Sequence, residues 1–151
     1  MSGDNDFYVN DSSRLDSEIY ESKRKGFLEF SGMLSGHSRL GNEFSLISKR
    51  DSNAPVVVNI LGENAHFIIF EDREKSLQAH KLANWRWEEV SFKKPYQSHL
   101  THLVVEQILE HGQCDLTSLE VSYRLHKPLL KTFLQHLEKT TGKKYEQCPV
   151  T

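Results

Sequence analysis

The stretch DLTSLEVSYRLHKPLLKTFLQHLEKTTG, residues 115–142, decides the predicted fold. Thr117 and Glu120 form a T-x-x-E pattern, the capping box in which a hydroxyl and a carboxylate satisfy free amides at a helix start. Pro128 restricts the residue before it away from the helical region and suits the first turn of a new helix. The stretch therefore predicts a short capped helix, a tight break at Pro128 and a longer amphipathic helix.

A further helix is predicted just before this stretch. Its apolar residues recur at helical spacing, which indicates one buried stripe. Gly112 follows as the expected C-terminal cap. Three helices in this order are typical of helix-turn-helix modules. The stripe consists of Leu100, Leu103, Val104, Ile108 and Leu109.

Residues 96–148 resemble the winged-helix superfamily in helix order, in the position of the break and in the basic step after the third helix. The resemblance implies that the third helix reads DNA, because lysine and glutamine pair with phosphates and base edges. Only nine residues follow Gly142, so they supply one strand of a wing and not two. The predicted DNA-binding residues are Lys131, Thr132, Gln135, His136 and Lys139 on that helix, with Lys143 and Lys144 as phosphate anchors.

The segment from residue 23 to residue 94 is predicted to be β-rich. Its branched run VVVNIL and its alternating run WRWEEVSF are typical of strands. Gly32 predicts a bend within the first strand, and Glu71–Leu82 predicts a short helical insert. Five short strands with one such insert favour a small curled sheet or an OB-like barrel. A barrel followed by a winged helix also resembles the middle subunit of replication protein A.

Composition sets the predicted boundaries of an α+β protein. Residues 1–22 carry six acidic residues against Arg14 alone and lack a sustained apolar period, which predicts a disordered acidic tail. Pro95 marks the second boundary, because the hydrophobic period changes from two to 3.6 after it. The predicted organisation is a tail at 1–22, a β-rich domain at 23–94 and a winged-helix-like domain at 95–151.

Several function classes are disfavoured by the sequence. No apolar run approaches the ~20 residues that cross a bilayer, so no membrane partner is expected. Two cysteines in 151 residues predict free thiols in a reducing compartment, cytoplasmic or, in a eukaryote, nuclear. The eight histidines show no familiar zinc-ligand spacing, and no catalytic motif is present. We therefore expect no metal, no cofactor and no enzyme activity.

Two functional hypotheses remain. The first is a non-enzymatic DNA-binding protein, either a small transcriptional regulator or a replication or partition accessory factor. The alternative is a protein–protein adaptor or complex subunit in which the winged helix is only a scaffold, and the net charge of −2 favours it. In both, the β-rich domain is expected to hold a protein partner or to self-associate. Trp85 and Trp87 are the predicted partner-binding residues if they are exposed, and a core pair otherwise.

Overall fold

The computed structural model describes residues 6–11 and 13–150. The chain divides into two compact units, one formed by Met1–Asp51 with Thr117–Thr151 and the other by Ser52–Leu116. The predicted α+β class is confirmed, because strands in three sheets combine with two α-helices in the described part of the chain. The predicted three-helix winged-helix domain is wrong, and so is the single curled sheet or OB-like barrel.

The first unit is built around one central strand. It contains β1 (Phe7–Val9), β2 (Arg14–Leu15), β3 (Tyr20–Glu21), β4 (Leu28–Glu29), β5 (Gly32–Ser38) and β6 (Glu43–Ser48). β6 pairs along one edge of β5, whereas β1 and β2 share the other edge, all antiparallel. β3 and β4 form a separate two-stranded ribbon. Leu34 of β5 is 3% exposed and marks the core of this unit.

The acidic segment predicted to be disordered contains three of these strands. Ser13 Oγ donates to the carbonyl oxygen of Ser35 at 3.2 Å, and the Ser31 hydroxyl donates to Asp16 Oδ2 at 2.6 Å. This segment is therefore held by backbone pairing and by short polar side chains. A hydropathy pattern does not predict contacts of this kind. The parts of the prediction that concern residues 1–5 and 12 lie outside the described residues.

Gly32 bends the chain where it enters β5. Its φ is 116°, and a Cβ built there would lie 2.3 Å from the carbonyl oxygen of Arg14 and 2.7 Å from Leu15 Cα. β2 can therefore approach β5 closely only because position 32 has no side chain. The bend predicted from this glycine is present.

Replacing Gly32 with alanine should destabilise the first unit. Gly26→Ala is the matched control, because Gly26 also has a positive φ, 87°, but nothing within 4 Å of the added Cβ. Both variants bear the left-handed strain of about 1–2 kcal/mol. Gly32→Ala should lose a further 1–3 kcal/mol or so by overpacking, measured by urea denaturation. Equal losses would contradict the close approach of β2.

The second unit contains a four-stranded antiparallel meander and a helix. The strands are β7 (Val57–Leu61), β8 (Ala65–Phe70), β9 (Lys75–His80) and β10 (Trp87–Ser91), in the order β10-β9-β8-β7, and α1 (Gln97–His111) follows. The helical insert predicted at Glu71–Leu82 is wrong, because the middle of that segment is β9, between single 3-10 turns at Glu71–Arg73 and Lys81–Ala83. Lys75–His80 pairs on both sides, with β8 and with β10, so ladder hydrogen bonds outweigh its helix propensity.

The C-terminal cap predicted for α1 is confirmed. Gly112 has φ 70°, and its N–H donates to the carbonyl oxygen of Ile108 at 2.9 Å. The Gln107 side chain then holds the turn, since it accepts from the backbone N–H of Asp115 and donates to that residue's carboxylate. The compact unit continues to Leu116, and the predicted boundary at Pro95 falls inside it.

One long helix, α2 (Leu119–Thr141), replaces the two helices predicted around Pro128. The N-cap is Ser118, whose Oγ accepts from the N–H of Val121 at 3.3 Å, and not Thr117. Glu120 accepts from Arg124 instead of completing a capping box. The helix has a half-buried face whose residues recur every three or four positions both before and after the proline, at positions 121, 125, 128, 132 and 136. One uninterrupted helix keeps them on one face, which offsets the hydrogen bond lost at Pro128, about 3 kcal/mol.

Pro128→Ala should therefore stabilise the protein. Alanine restores the amide that a mid-helix proline lacks, with a gain of up to about 3 kcal/mol, reduced by the lost packing of the ring. Pro55→Ala, in the loop before β7, is the control and should not raise stability. Thermal unfolding followed by circular dichroism measures both. A lower melting temperature for Pro128→Ala would instead indicate a chain break at this position.

Candidate protein-interaction surfaces

The residues predicted to read DNA lie along a groove in the first unit. Lys131, Thr132 and Gln135 line a cavity of about 560 Å³, and residues 6–9, which include β1, form its other wall. Beyond Gln135 a smaller hollow of about 250 Å³ continues along α2 to Lys139. The predicted DNA-reading face of α2 is thus one wall of a groove closed on its far side by the N-terminal segment.

His136, another predicted DNA-binding residue, lines the smaller hollow, where two contacts fix its ring. His136 Nε2 donates to the backbone carbonyl oxygen of Asp16 at 2.8 Å, and its ring meets the edge of Phe30 at 5.9 Å. It is a packing residue of the first unit. Lys143 and Lys144 are exposed and follow the end of α2, outside the groove lining.

Two further cations of the groove, Arg124 and Lys127, were missed by sequence reasoning. They stand seven and four residues before Lys131, on the same helix face, and both line the larger cavity. The expected break at Pro128 assigned them to a different helix. Their spacing from Lys131 would have identified them had the helix been read as continuous.

A cation–aromatic cluster in the first unit joins the loop after β6 to the β3–β4 ribbon. The Arg50 guanidinium lies 3.6 Å from the centroid of the Tyr20 ring, and the Tyr20 hydroxyl donates to the Glu18 carboxylate. That hydrogen bond raises the pKa of Tyr20, while Arg50 partly opposes the rise. The Tyr20 hydroxyl in turn raises the pKa of Arg50. The cluster fastens the loop after β6 to the β3–β4 ribbon, which is a structural role.

Trp87 takes part in a row of side chains across the sheet of the second unit. The register places Leu61, His66, Ala79 and Trp87 side by side on one face. The rings of His66 and Trp87 meet edge to face at 4.8 Å above Ala79, which is 1% exposed. His66 Nε2 also donates to Asn59 Oδ1 at 2.6 Å. Trp87 is nonetheless 45% exposed.

Trp85 does not share a strand face with Trp87. Its φ of 59° places it in the left-handed turn before β10, and it is 44% exposed. The predicted alternation of the two tryptophans along one strand is therefore absent. Both predicted partner-binding residues are accessible, but they present separate surfaces.

The sheet of the second unit covers little of its own apolar surface. Between Val57 and Ser91 only Ser76 and Ala79 are buried. Apolar side chains stand at 40–75% exposure on both edge strands, and α1 buries none of its residues. These exposed apolar side chains favour a protein-binding role for the sheet. The exposed apolar residues of the edge strands are Val57, Val58, Ile60, Leu61, Trp87 and Val90.

The two edges of this sheet differ in charge. β7 lies within an uncharged run from Ser52 to Gly62. β10 carries Glu88 and Glu89, and Glu89 accepts from Lys75 Nζ at 2.6 Å. Natural edge strands are protected from pairing by charged residues, so β7 is the unprotected edge.

The described residues offer no metal centre, because no group of three or more potential ligands is found among them. Cys114 and Cys148 are free thiols, as the sequence predicts. Burial raises the pKa of the Cys148 thiol and makes it a weak nucleophile. Within the described ranges, no helix is long and apolar enough to cross a membrane.

Comparison with known proteins finds no match, whether with protein-family models, curated proteins or solved structures.

Trp87→Ala should destabilise the second unit more than Trp85→Ala does. The two side chains are equally exposed, but Trp87 pairs with His66 and covers Ala79. An aromatic pair contributes about 0.5–1.5 kcal/mol beyond its buried area, so we expect at least that difference. Chemical denaturation followed by circular dichroism measures it. A larger loss for Trp85→Ala would contradict the assigned role of Trp87.

Proposed function

We propose that this chain is a non-enzymatic protein-interaction subunit that self-associates through the β7 edge of its second unit. The unprotected β7 edge carries the proposal, because an uncharged and apolar strand with unpaired backbone groups is a template for another strand. The partner at this edge is a second copy of the chain. The free thiols support a reducing compartment, cytoplasmic or, in a eukaryote, nuclear.

The hydrogen-bond pattern of β7 suits a two-fold pairing. The N–H of Gly62 donates to the carbonyl oxygen of Ala65 at 2.8 Å, so in β7 the even-numbered residues bond to β8. Val57, Asn59 and Leu61 consequently direct their N–H and C=O groups away from the sheet. An antiparallel copy centred on Asn59 matches Val57 with Leu61 of the second copy and Asn59 with itself. Every outward group of the strand then finds a partner.

The opposite edge does not suit self-pairing. Two copies of β10 paired about Glu89 would bring this carboxylate directly against its own equivalent, and like charges directly opposed across strands are destabilising. The contrast between the two edges thus favours one closed dimer over an open chain of sheets.

DNA binding through α2, the other hypothesis, has less support. It requires the short helix, the break and the recognition helix of a helix-turn-helix, whereas Leu119–Thr141 is continuous. Lys131 and Gln135 face a groove whose opposite wall is the chain's own strand β1, and His136 is bonded to Asp16. A duplex has no evident access to these residues as one face.

Sedimentation equilibrium of two variants tests the self-association. Val58 and Val90 lie in one cross-strand row at opposite edges, at 44% and 40% exposure, so Val58→Lys and Val90→Lys are matched. Val58→Lys should weaken dimerisation at least about tenfold, because lysine on an edge strand opposes pairing. Val90→Lys should leave the dimer intact.

Other outcomes are equally informative. A wild-type chain that remains monomeric at about 0.1 mM protein would rule out a dimer of useful affinity. Equal weakening by both variants would show that the sheet face and not the β7 edge makes the contact.

A further inference from the structure

The groove between β1 and α2 has the geometry of a peptide site. One wall consists of four consecutive residues, Asp6–Val9, and the other of one face of α2 from Arg124 to Gln135. The twelve helix residues from Arg124 to Gln135 span about 18 Å and four strand residues span about 13 Å, so the two walls have comparable lengths. The volume of about 560 Å³ lies in the range of ligand sites.

The strand wall presents an open edge. The N–H of Asn10 donates to the carbonyl oxygen of Ser35 at 2.8 Å, and the N–H of Arg39 donates to that of Asp6 at 3.1 Å. The even-numbered residues of this segment therefore bond to β5, and Phe7 and Val9 direct their backbone groups away from it. Within the described part of the chain, no hydrogen bond reaches these outward groups.

The helix wall is cationic. The cavity is lined by three cationic side chains, those of Arg124, Lys127 and Lys131, and by one carboxylate, that of Asp6. Arg124 is also bonded to Glu120 at 2.7 Å, and the Lys127 ammonium lies 5.4 Å from the centroid of the Tyr123 ring. Lys127 and Lys131 thus retain most of their capacity for an anionic ligand.

We infer that this groove binds an extended acidic peptide, which adds as a strand to the open edge of β1 and places its carboxylates against α2. Cations three or four residues apart on a helix are separated by about 4.5–6 Å along its axis, and side chains on one side of a strand by about 6.8 Å. Acidic residues at alternate positions of the peptide therefore match the spacing of Arg124, Lys127 and Lys131. The inference adds a second partner to the proposed self-association and does not depend on it.

Fluorescence anisotropy with the full chain tests the groove. The probe is a labelled octapeptide of alternating glutamate and threonine at about 50 mM salt, where surface charges are weakly screened. Two control peptides test the charge and the backbone amides of the probe separately. Alternating lysine and threonine reverses the charge. Alternating glutamate and proline keeps the charge, removes every second amide and fixes φ at about −65° at those positions, which opposes strand pairing. Saturable binding of the first peptide is expected, with both controls at least about tenfold weaker.

Charge-matched protein variants locate the site. The double variant Lys127→Glu, Lys131→Glu reverses two groove cations, whereas Lys143→Glu, Lys144→Glu makes the same charge change outside the groove. The first should weaken binding at least about tenfold and the second less than about twofold, because exposed ion pairs act over short range. Circular dichroism verifies that both variants fold. Val58→Lys should bind the peptide as the wild type does, so a failure of either proposal is separable from the other.

Three results would overturn the inference: absence of binding by the wild type, equal binding of the glutamate–proline peptide, or equal weakening by the two double variants. An oligothymidylate of eight nucleotides serves as competitor. If it binds the groove more tightly than the acidic peptide does, the site is one for single-stranded nucleic acid and the peptide inference falls.

Discussion

The close pairing of β5 with the N-terminal strands is the constraint on which the first unit depends. β1 and β2 are ordered by backbone hydrogen bonds, by the short side chains of Ser13 and Asp16, and by the edge-to-face contact of Phe7 with Phe44. That pairing needs room at both Gly32 and Gly36, where a Cβ would lie 2.3 Å from a carbonyl oxygen of β2 or β1. The position of β1, and hence one wall of the groove, follows from the absence of these two side chains.

The sequence predicts well those elements whose signals are local. The branched run that forms β7 and the helix α1 with its Gly112 cap follow from composition, periodicity and turn residues. The errors arise where tertiary pairing outweighs local preference. Lys75–His80 is charged at its start and reads as helical, yet it is paired on both sides. The acidic N-terminus lacks a sustained apolar period, and its partner strand β5 begins only at Gly32.

Pro128 explains why the candidate site was only partly predictable. Treated as a break, it divides Arg124 and Lys127 from Lys131, and the helix face is read as a recognition surface. Treated as a tolerated interruption in one continuous helix, it leaves these residues together as the wall of a groove. Local rules for proline do not decide between the alternatives, because the packing of positions 121, 125, 132 and 136 supplies the compensating free energy. The chemistry of the lysines was visible in the sequence, but their opposite wall was not.

The first unit is assembled from both ends of the chain, with the second inserted between them. Its two parts are joined by β4 and the C-terminal segment, where the N–H of Leu28 donates to the carbonyl oxygen of Pro149 at 2.6 Å. During synthesis, the N-terminal strands must wait for 65 intervening residues, Ser52–Leu116, before α2 emerges. At about 5–20 residues per second this delay is about 3–13 s. The contiguous meander forms from local hairpins and is complete first. The nascent chain therefore presents its β7 edge before its β1–α2 groove exists.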